Sequence, residues 1–393
     1  MMAPTLTPET FSAIMRKSKS LFSRQKYEEA LEVMILIQED TENFAKLSDS
    51  RLLTFYNNVG ILYYHLRKPC LSSFYFNRAY KIYFLNVFRR CSNDINSQRS
   101  SFYSEAIHKI IYNMGLCMLF RMKLNEAFFY LREAAQGMHR SPLVWLRLAE
   151  CCILFYKRGQ EGEFSVLKNG NLLANSKVGS GLSSKIVLNS KFCKDSGYPS
   201  SPQCYQGDGP SLGFASICLK NAYLLLPVGN NRLKQAVLAA SSYVHLTIGN
   251  PVIAHKYADI LAEDSCHVYK YLSKLYLAES LVFLNRIGEA IELLKMTYIN
   301  DYDSFENLQE DDWFSNINTT SHYVLNYNLI VSLTLNGQFH EASELLRTFL
   351  RLKVSINEVP IHIVALALYI ELATGHVDAA RSIIKQQCPQ LFQ

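Results

Sequence analysis

The amino-acid sequence predicts an all-α protein in which about eight helix hairpins stack in a row to form an α-solenoid. One observation is a recurring order of residues: a small side chain mid-way along one predicted helix, a Gly or polar turn, and an Ala that opens the next helix. A second is that this order returns about every 34 residues. A third is one long interruption, rich in Gly, Ser, Lys and Asn, which predicts a flexible insertion inside one hairpin.

The first three hairpins are marked by small residues placed between bulky ones. In the second hairpin, Tyr56 and Gly60 lie one helical turn apart, so they share one face of the predicted first helix. Gly115 takes the same small position in the third hairpin, and Ala127 opens its second helix. A small residue lets the partner helix approach closely while large residues fill the space on either side. We therefore expect these positions to pack each hairpin together.

The fourth hairpin is the interrupted one. Its predicted first helix spans residues 141–152, where Trp145 and Ala149 lie on one face. The pattern of an aromatic residue, a Leu and then a small residue resembles the first helix of a tetratricopeptide (TPR) repeat. The second helix returns at residues 214–227, with the matching small positions and a helix-stopping proline at Ala215, Ala222 and Pro227.

The predicted domain organisation follows from this interruption. Residues 1–156 form the N-terminal TPR units, residues 157–213 form the insertion, and residues 214–393 form the C-terminal TPR units. Stacked helix pairs of this kind wind into a right-handed superhelix, so the two helical parts are expected to continue one solenoid. The later hairpins place a small residue where each second helix opens, at Ala254, Ala290, Ala342 and Ala380.

Composition narrows the class of protein. The chain is 49% hydrophobic and 19% charged, and its net charge of +6 is too mild to indicate nucleic-acid binding by itself. Ten cysteines occur without CxxC spacing, which predicts buried, reduced thiols, and we expect no zinc site and no cofactor. No signal peptide or membrane-spanning run is visible, which predicts a soluble protein of the cytoplasm and nucleus.

Motifs typical of enzymes are missing from the sequence. It contains no GxSxG, HExxH or GxxxxGK[ST] motif, and the Gly-rich residues 207–213 lack the Lys-Ser/Thr of a phosphate loop. We therefore expect no catalytic residues. Residues 74–90 interleave aromatic and basic side chains, as surfaces that stack on single-stranded RNA do. The same aromatics also suit packing between neighbouring helices, and we favour that interpretation.

A candidate protein-binding groove follows from the first helices, because a TPR superhelix presents these helices to its partners. Asn occurs at one first-helix position in three hairpins, and an Asn amide can pair with the backbone of a bound segment. The alternative is that these amides bind the neighbouring helix or water. Lys109 lies one turn before the second of these residues, and with Arg147 it favours an acidic segment. The predicted groove residues are Asn58, Lys109, Asn113, Arg147 and Asn328.

Four segments carry a more specific resemblance. They are SPLVWLRLAECC (141–152), KIVLNS (185–190), FASICLKNAYLLLP (214–227) and YIELATGHVDAA (369–380). Together they resemble the TPR subunit, the tenth, of the CCR–NOT mRNA deadenylase complex. The resemblance implies a non-catalytic scaffold that binds a small partner subunit (the eleventh) and the N-terminal part of the large scaffold subunit. It also implies roles in poly(A) shortening, mRNA turnover and translational repression.

Within the insertion, one apolar and β-branched segment stands out. We expect Lys185, Ile186, Val187 and Leu188 to pack back on the solenoid as an extended anchor. Rival functions remain: another TPR adaptor, such as a chaperone or ubiquitin-ligase assembly subunit, or a solenoid that binds RNA directly.

Overall fold

The structure is a computed structural model with side chains. It describes residues 8–39, 44, 47–91, 98–168, 176–178, 185–187, 209–227, 229, 231–263, 267–300, 312–352 and 361–387. The described ranges hold sixteen α-helices, which form eight successive hairpins as the sequence predicts. The TPR-type α-solenoid is thereby confirmed. The chain divides into two compact units, residues Met1–Gly229 and Asn230–Gln393, each containing four hairpins.

The first unit contains eight helices, paired in order along the chain. The helices of each pair pack against each other, including the fourth pair, whose members are far apart in sequence. Their bounds are α1 Pro8–Ser23, α2 Tyr27–Glu39, α3 Asp49–His65, α4 Pro69–Cys91, α5 Gln98–Phe120, α6 Leu124–Gly137, α7 Pro142–Lys168 and α8 Leu212–Leu224.

The second unit repeats this arrangement with eight further helices. Its main core cluster is formed by apolar side chains of the last three of its four hairpins, among them Leu281, Leu294, Ile330 and Ile370. The bounds are α9 Asn231–Ile248, α10 Pro251–Ala262, α11 His267–Phe283, α12 Ile287–Asn300, α13 Asp312–Leu335, α14 Phe339–Leu352, α15 Ile361–Ala373 and α16 Val377–Gln387.

One turn geometry joins the helices in seven of the eight described hairpins. After each first helix one residue takes a positive φ, and the next residue's N–H donates to the carbonyl five positions earlier, as Lys68 does to Tyr63 at 2.9 Å. This is the Schellman arrangement, which satisfies carbonyls at a helix end. The positive-φ residues are Gln25, Arg67, Met122, Gly249, Asn285, Gly337 and Gly375.

Small residues bring the two helices of each hairpin into close contact. The backbone of Gly60 lies against the ring of Phe76, and Gly115 lies against Leu131. Eleven of the thirteen predicted packing positions are buried: Tyr56, Gly60, Gly115, Ala127, Ala149, Ala215, Ala222, Ala254, Ala290, Ala342 and Ala380.

The other two predicted packing positions, Trp145 and Pro227, differ from these eleven. Trp145 is only half buried, since its indole N–H donates to the carbonyl of His139 at 2.7 Å and the ring must reach that group near the surface. Pro227 is exposed and follows the end of α8, where it contributes by stopping the helix and not by packing.

The insertion begins later than residue 157, because α7 continues as a helix to Lys168. Arg158 fixes the start of this extension by donating to the carbonyl of Met122 in the preceding hairpin turn at 2.9 Å. Within the insertion, β1 (Ser176–Val178) pairs antiparallel with β2 (Lys185–Val187), with Lys177 opposite Ile186. The expected extended segment is thus a strand, while Leu188 lies outside the described residues.

Candidate protein-binding surface

In each unit, several first helices of consecutive hairpins lie side by side. In the first unit α3 contacts α5 and α5 contacts α7, and in the second unit α9 contacts α11 and α13 contacts α15. Side chains from successive hairpins therefore meet on one surface. We call the surface of α1, α3, α5 and α7 the first-helix surface.

A chain of amides crosses two helices of the first-helix surface. The amide nitrogen of Asn113 donates to the side-chain oxygen of Asn57 at 2.9 Å, and Asn57 donates to the side-chain oxygen of Asn58 at 3.4 Å. The structure thus brings two predicted groove residues together through a third that sequence reasoning missed. In the sequence, the feature that could have pointed to Asn57 is its position directly before Asn58. The amide of Asn113 therefore binds the neighbouring helix, which was the alternative to binding a partner segment.

Arg147 on α7 is part of a polar cluster that also spans two helices. Its guanidinium lies 2.6 Å from the carboxylate of Glu150, and its charge also acts on the phenol of Tyr112 on α5. Burial raises the pKa of Tyr112, and the charge of Arg147 opposes that rise. The predicted cation is therefore paired within the protein. Glu150 and Tyr112 were missed, although Glu150 lies three residues after Arg147, a spacing at which helical side chains meet.

The remaining predicted groove residues lie apart from these clusters. Lys109 is exposed on α5, one turn before Asn113. Asn328 belongs to the second unit, where it is half buried on α13 and its backbone carbonyl accepts a hydrogen bond from Ser332 at 2.8 Å. Their roles in binding stay predictions.

An apolar cavity of about 450 Å³ opens between α1 and α3. Asn58 lines it, so this predicted groove residue lies beside a concave site. Sequence reasoning could not find the cavity, because it depends on the separation of two helices. Its lining residues are Met15, Arg16, Ser18, Lys19, Phe22, Asn58, Ile61 and Leu62.

The aromatic and basic stretch on α4 is less buried than core packing requires. Phe76 is buried as expected, but Phe74 and Phe84 are 51% and 59% exposed. The guanidinium of Arg78 lies 5.1 Å from the centre of the Phe74 ring and 5.5 Å from that of Tyr56. The expectation that all these aromatics pack between helices is therefore wrong for Phe74 and Phe84, which lie on the outward side of the second helix.

The described residues contain neither a metal-binding cluster nor a membrane-spanning helix. Among the described side chains, no group of three or more His, Cys, Asp or Glu residues gathers closely enough to hold a metal ion. None of the described helices combines the length and the apolar character needed to cross a membrane.

Comparison with known proteins relates the second unit to a named domain. A family model described as the CNOT10 tetratricopeptide repeat domain matches residues 232–378, from α9 to the start of α16. A crystal structure of a tetratricopeptide repeat protein from Parabacteroides merdae is also similar. It has 11% identity and a TM-score of 0.48, and the match covers 86% of this chain and 92% of that chain.

Curated relatives extend the similarity to nearly the whole chain. CCR4-NOT transcription complex subunit 10-A of Xenopus laevis is 26% identical, and the match covers 95% of this chain and 61% of that protein. Subunit 10 of Danio rerio is 26% identical, with 84% and 66% covered. The chain spans about three-fifths of the length of the Xenopus relative. These matches confirm the resemblance seen in the sequence: the chain is similar to subunit 10 of the CCR4-NOT transcription complex over most of its own length.

Proposed function

We propose that this chain is a non-catalytic scaffold subunit of the CCR4-NOT complex and that it binds other protein chains along the first-helix surface. The observation that carries the proposal is the direct contact between successive first helices, which lines up polar side chains from several hairpins. A row of this kind offers a long surface to an extended or helical segment of a partner.

The proposed partners are those implied by the resemblance. They are the small eleventh subunit and the N-terminal part of the large scaffold subunit of the complex. Through them the chain contributes to poly(A) shortening, mRNA turnover and translational repression, in the cytoplasm and nucleus. The nuclease step belongs to other subunits of the complex.

The insertion is proposed to support this scaffold. The strand pair of β1 and β2 gives the segment from Lys185 to Val187 an extended form suited to packing on the helices. Deleting residues 185–188 is expected to speed limited proteolysis around residues 145–225. Unchanged cleavage there would contradict the anchor.

Affinity purification of the full chain tests the proposed function. We expect the tagged chain to recover CCR4-NOT subunits, and Lys109→Glu on the first-helix surface to reduce that recovery about fivefold by reversing one charge. Lys220→Glu is the matched control, because Lys220 is exposed on α8, a second helix. Equal loss in both variants would contradict binding along the first helices.

The same purification separates the rival functions. Recovery of an acidic-tailed chaperone or of ubiquitin-ligase subunits in place of CCR4-NOT subunits would favour a different TPR adaptor. Direct RNA binding would appear as a titration with a steep dependence on salt concentration. Absence of a shift at low salt would dismiss it.

A further inference from the structure

We propose that the cavity between α1 and α3 receives a bulky apolar side chain from an acidic, extended segment of a partner protein. This inference rests on the proposed function, since it assigns a chemistry to one segment that the first-helix surface binds. It is carried by the shape of the cavity, the charges around it and one amide in its wall.

The shape suits a large apolar side chain. Met15 and Phe22 of α1 face Ile61 and Leu62 of α3 across about 450 Å³, within the ~300–1,000 Å³ typical of ligand sites. Further along the same surface, α3 and α5 contact each other directly. The space between α1 and α3 is therefore a feature of this end of the first-helix surface.

The wall of the cavity is already fixed. The Phe22 ring packs edge-on against His65 with centroids 5.0 Å apart, and His65 stacks on Tyr27 at 4.8 Å. On the same helix, the buried hydroxyl of Ser18 donates to the carbonyl of Ala30 at 3.2 Å, which holds α1 against α2. A preformed site binds without the cost of ordering its own side chains.

The charges around the cavity favour an acidic partner. Arg16 and Lys19 line it, both are exposed, and neither forms an ion pair with any described residue. Lys17 adds a third exposed cation to α1, whose one acidic residue is Glu9, in its first turn. At two other hairpins a basic side chain is paired with a nearby Glu, Lys123 with Glu126 and Arg286 with Glu289. An acidic segment would be attracted to this helix, and basic segments would be repelled.

One polar group in the wall suits an extended backbone. Asn58 accepts a long hydrogen bond from Asn57 on its side-chain oxygen, while its amide nitrogen donates to none of the described residues. An Asn amide carries two N–H donors, so it is able to donate to a carbonyl of a segment lying across the cavity mouth. Carbonyls along an extended segment are available for this, whereas those inside a helix are already paired.

Fluorescence anisotropy with the full chain tests the proposal. The probes are a labelled peptide of Asp and Glu with one central Phe, the same peptide with Ala in place of Phe, and a Lys-rich peptide with the Phe kept. We expect the acidic Phe peptide to bind about tenfold more tightly than either of the others. Equal binding of the Phe and Ala peptides would overturn the proposal.

Matched variants locate the site. Lys19→Glu is expected to weaken binding of the acidic Phe peptide about fivefold, while Lys17→Glu, on the same helix but outside the cavity lining, has a smaller effect. Ile61→Glu places a charge in the half-buried wall and should abolish the preference for Phe, with circular dichroism confirming the helical fold. Equal effects of Lys19→Glu and Lys17→Glu would overturn the cavity as the binding site.

Two further outcomes separate this inference from its alternatives. Displacement of the peptide by single-stranded RNA at lower concentration than by unlabelled peptide would assign the basic helix to RNA and overturn the inference. Recovery of CCR4-NOT subunits by a chain that shows no preference for the Phe peptide would leave the proposed function standing and reject the cavity proposal alone.

Discussion

Gly60 lies so close to the ring of Phe76 that a Cβ on Gly60 would stand 2.5 Å from the Cε1 atom of that ring. Gly60→Ala should therefore force α3 and α4 apart and lower the free energy of unfolding by about 1–3 kcal/mol. Urea denaturation followed by circular dichroism measures the change. Gly288→Ala is the control, because a Cβ there meets nothing within 4 Å, and it should be neutral or slightly stabilising. A Gly60 variant as stable as this control would contradict the packing argument.

The hairpin turns predict opposite effects of glycine at different positions. Arg67 has a φ of 56°, which costs an L-residue about 1–2 kcal/mol, so Arg67→Gly should raise the free energy of unfolding by about 1 kcal/mol. Gly375 has a φ of 81°, and Gly375→Ala should lower it by about 1 kcal/mol. Asn285→Gly should change it least, because Asn tolerates this conformation. Thermal unfolding of the three variants checks the order, and destabilisation by Arg67→Gly would refute it.

The amide pair between Asn113 and Asn57 predicts coupling between two hairpins. Each single change to Ala should lower the free energy of unfolding by about 1 kcal/mol. The double variant should lose less than the sum, with an interaction energy of about 0.5–1 kcal/mol in a double-mutant cycle. Asn58→Ala serves as the comparison, because its hydrogen bond is longer, at 3.4 Å. Strict additivity of the Asn57 and Asn113 changes would show that the bond contributes nothing.

The described cysteines are expected to differ in their reactivity towards an alkylating reagent. Cys70 is exposed, while Cys117, Cys151, Cys152 and Cys218 are buried. Burial raises the pKa of Cys151 to about 12, and the neighbouring Cys152 adds to the rise. Iodoacetamide at about pH 8 should modify Cys70 and spare the four buried thiols, since the thiolate is the reactive form. Site-resolved mass spectrometry reads the result, and labelling of Cys151 in the folded chain would contradict it.

The same thiols predict a loss of stability at high pH. Burial raises the pKa of Cys152 to about 11, above the ordinary value of 9.0. The folded state therefore favours the neutral thiol, and this contribution is complete below about pH 9 and is lost as the pH rises towards 11–12. The urea midpoint should fall over this range. The fall should be smaller in a variant with Ala at positions 151 and 152, and an equal fall would rule the thiols out as its cause.

Much of the fold could be predicted from the sequence because small residues and turns carry a physical requirement. Ala127, Ala290 and Ala342 mark places where two helices approach closely. Gly249, Gly337 and Gly375 mark turns that need a positive φ. The other turns were visible only as polar segments. The residues that take a positive φ there include Arg67 and Met122, whose types do not favour that conformation, so only the repeat predicts it.

The candidate surface could be predicted only in part. Helical spacing predicts that Asn58 and Asn113 belong to first helices, but it does not give the distances between helices. The link through Asn57 and the cavity beside Asn58 both depend on those distances. Likewise, periodicity within one helix does not tell whether a neighbouring hairpin covers Phe74, which is 51% exposed.

Because residues 169–211 separate α7 from α8, this pair differs from the other seven in the order in which its contacts can form. A tight turn keeps two helices near each other from the start, whereas closing so long a connection costs about 2 kcal/mol more loop entropy. Helix α7 also contacts α5 and α6, so it can dock on the third hairpin before α8 arrives. We therefore expect the first three hairpins to act as a template on which α8 docks last. Lengthening or shortening that connection should alter the rate of this final step far more than the stability of the finished stack.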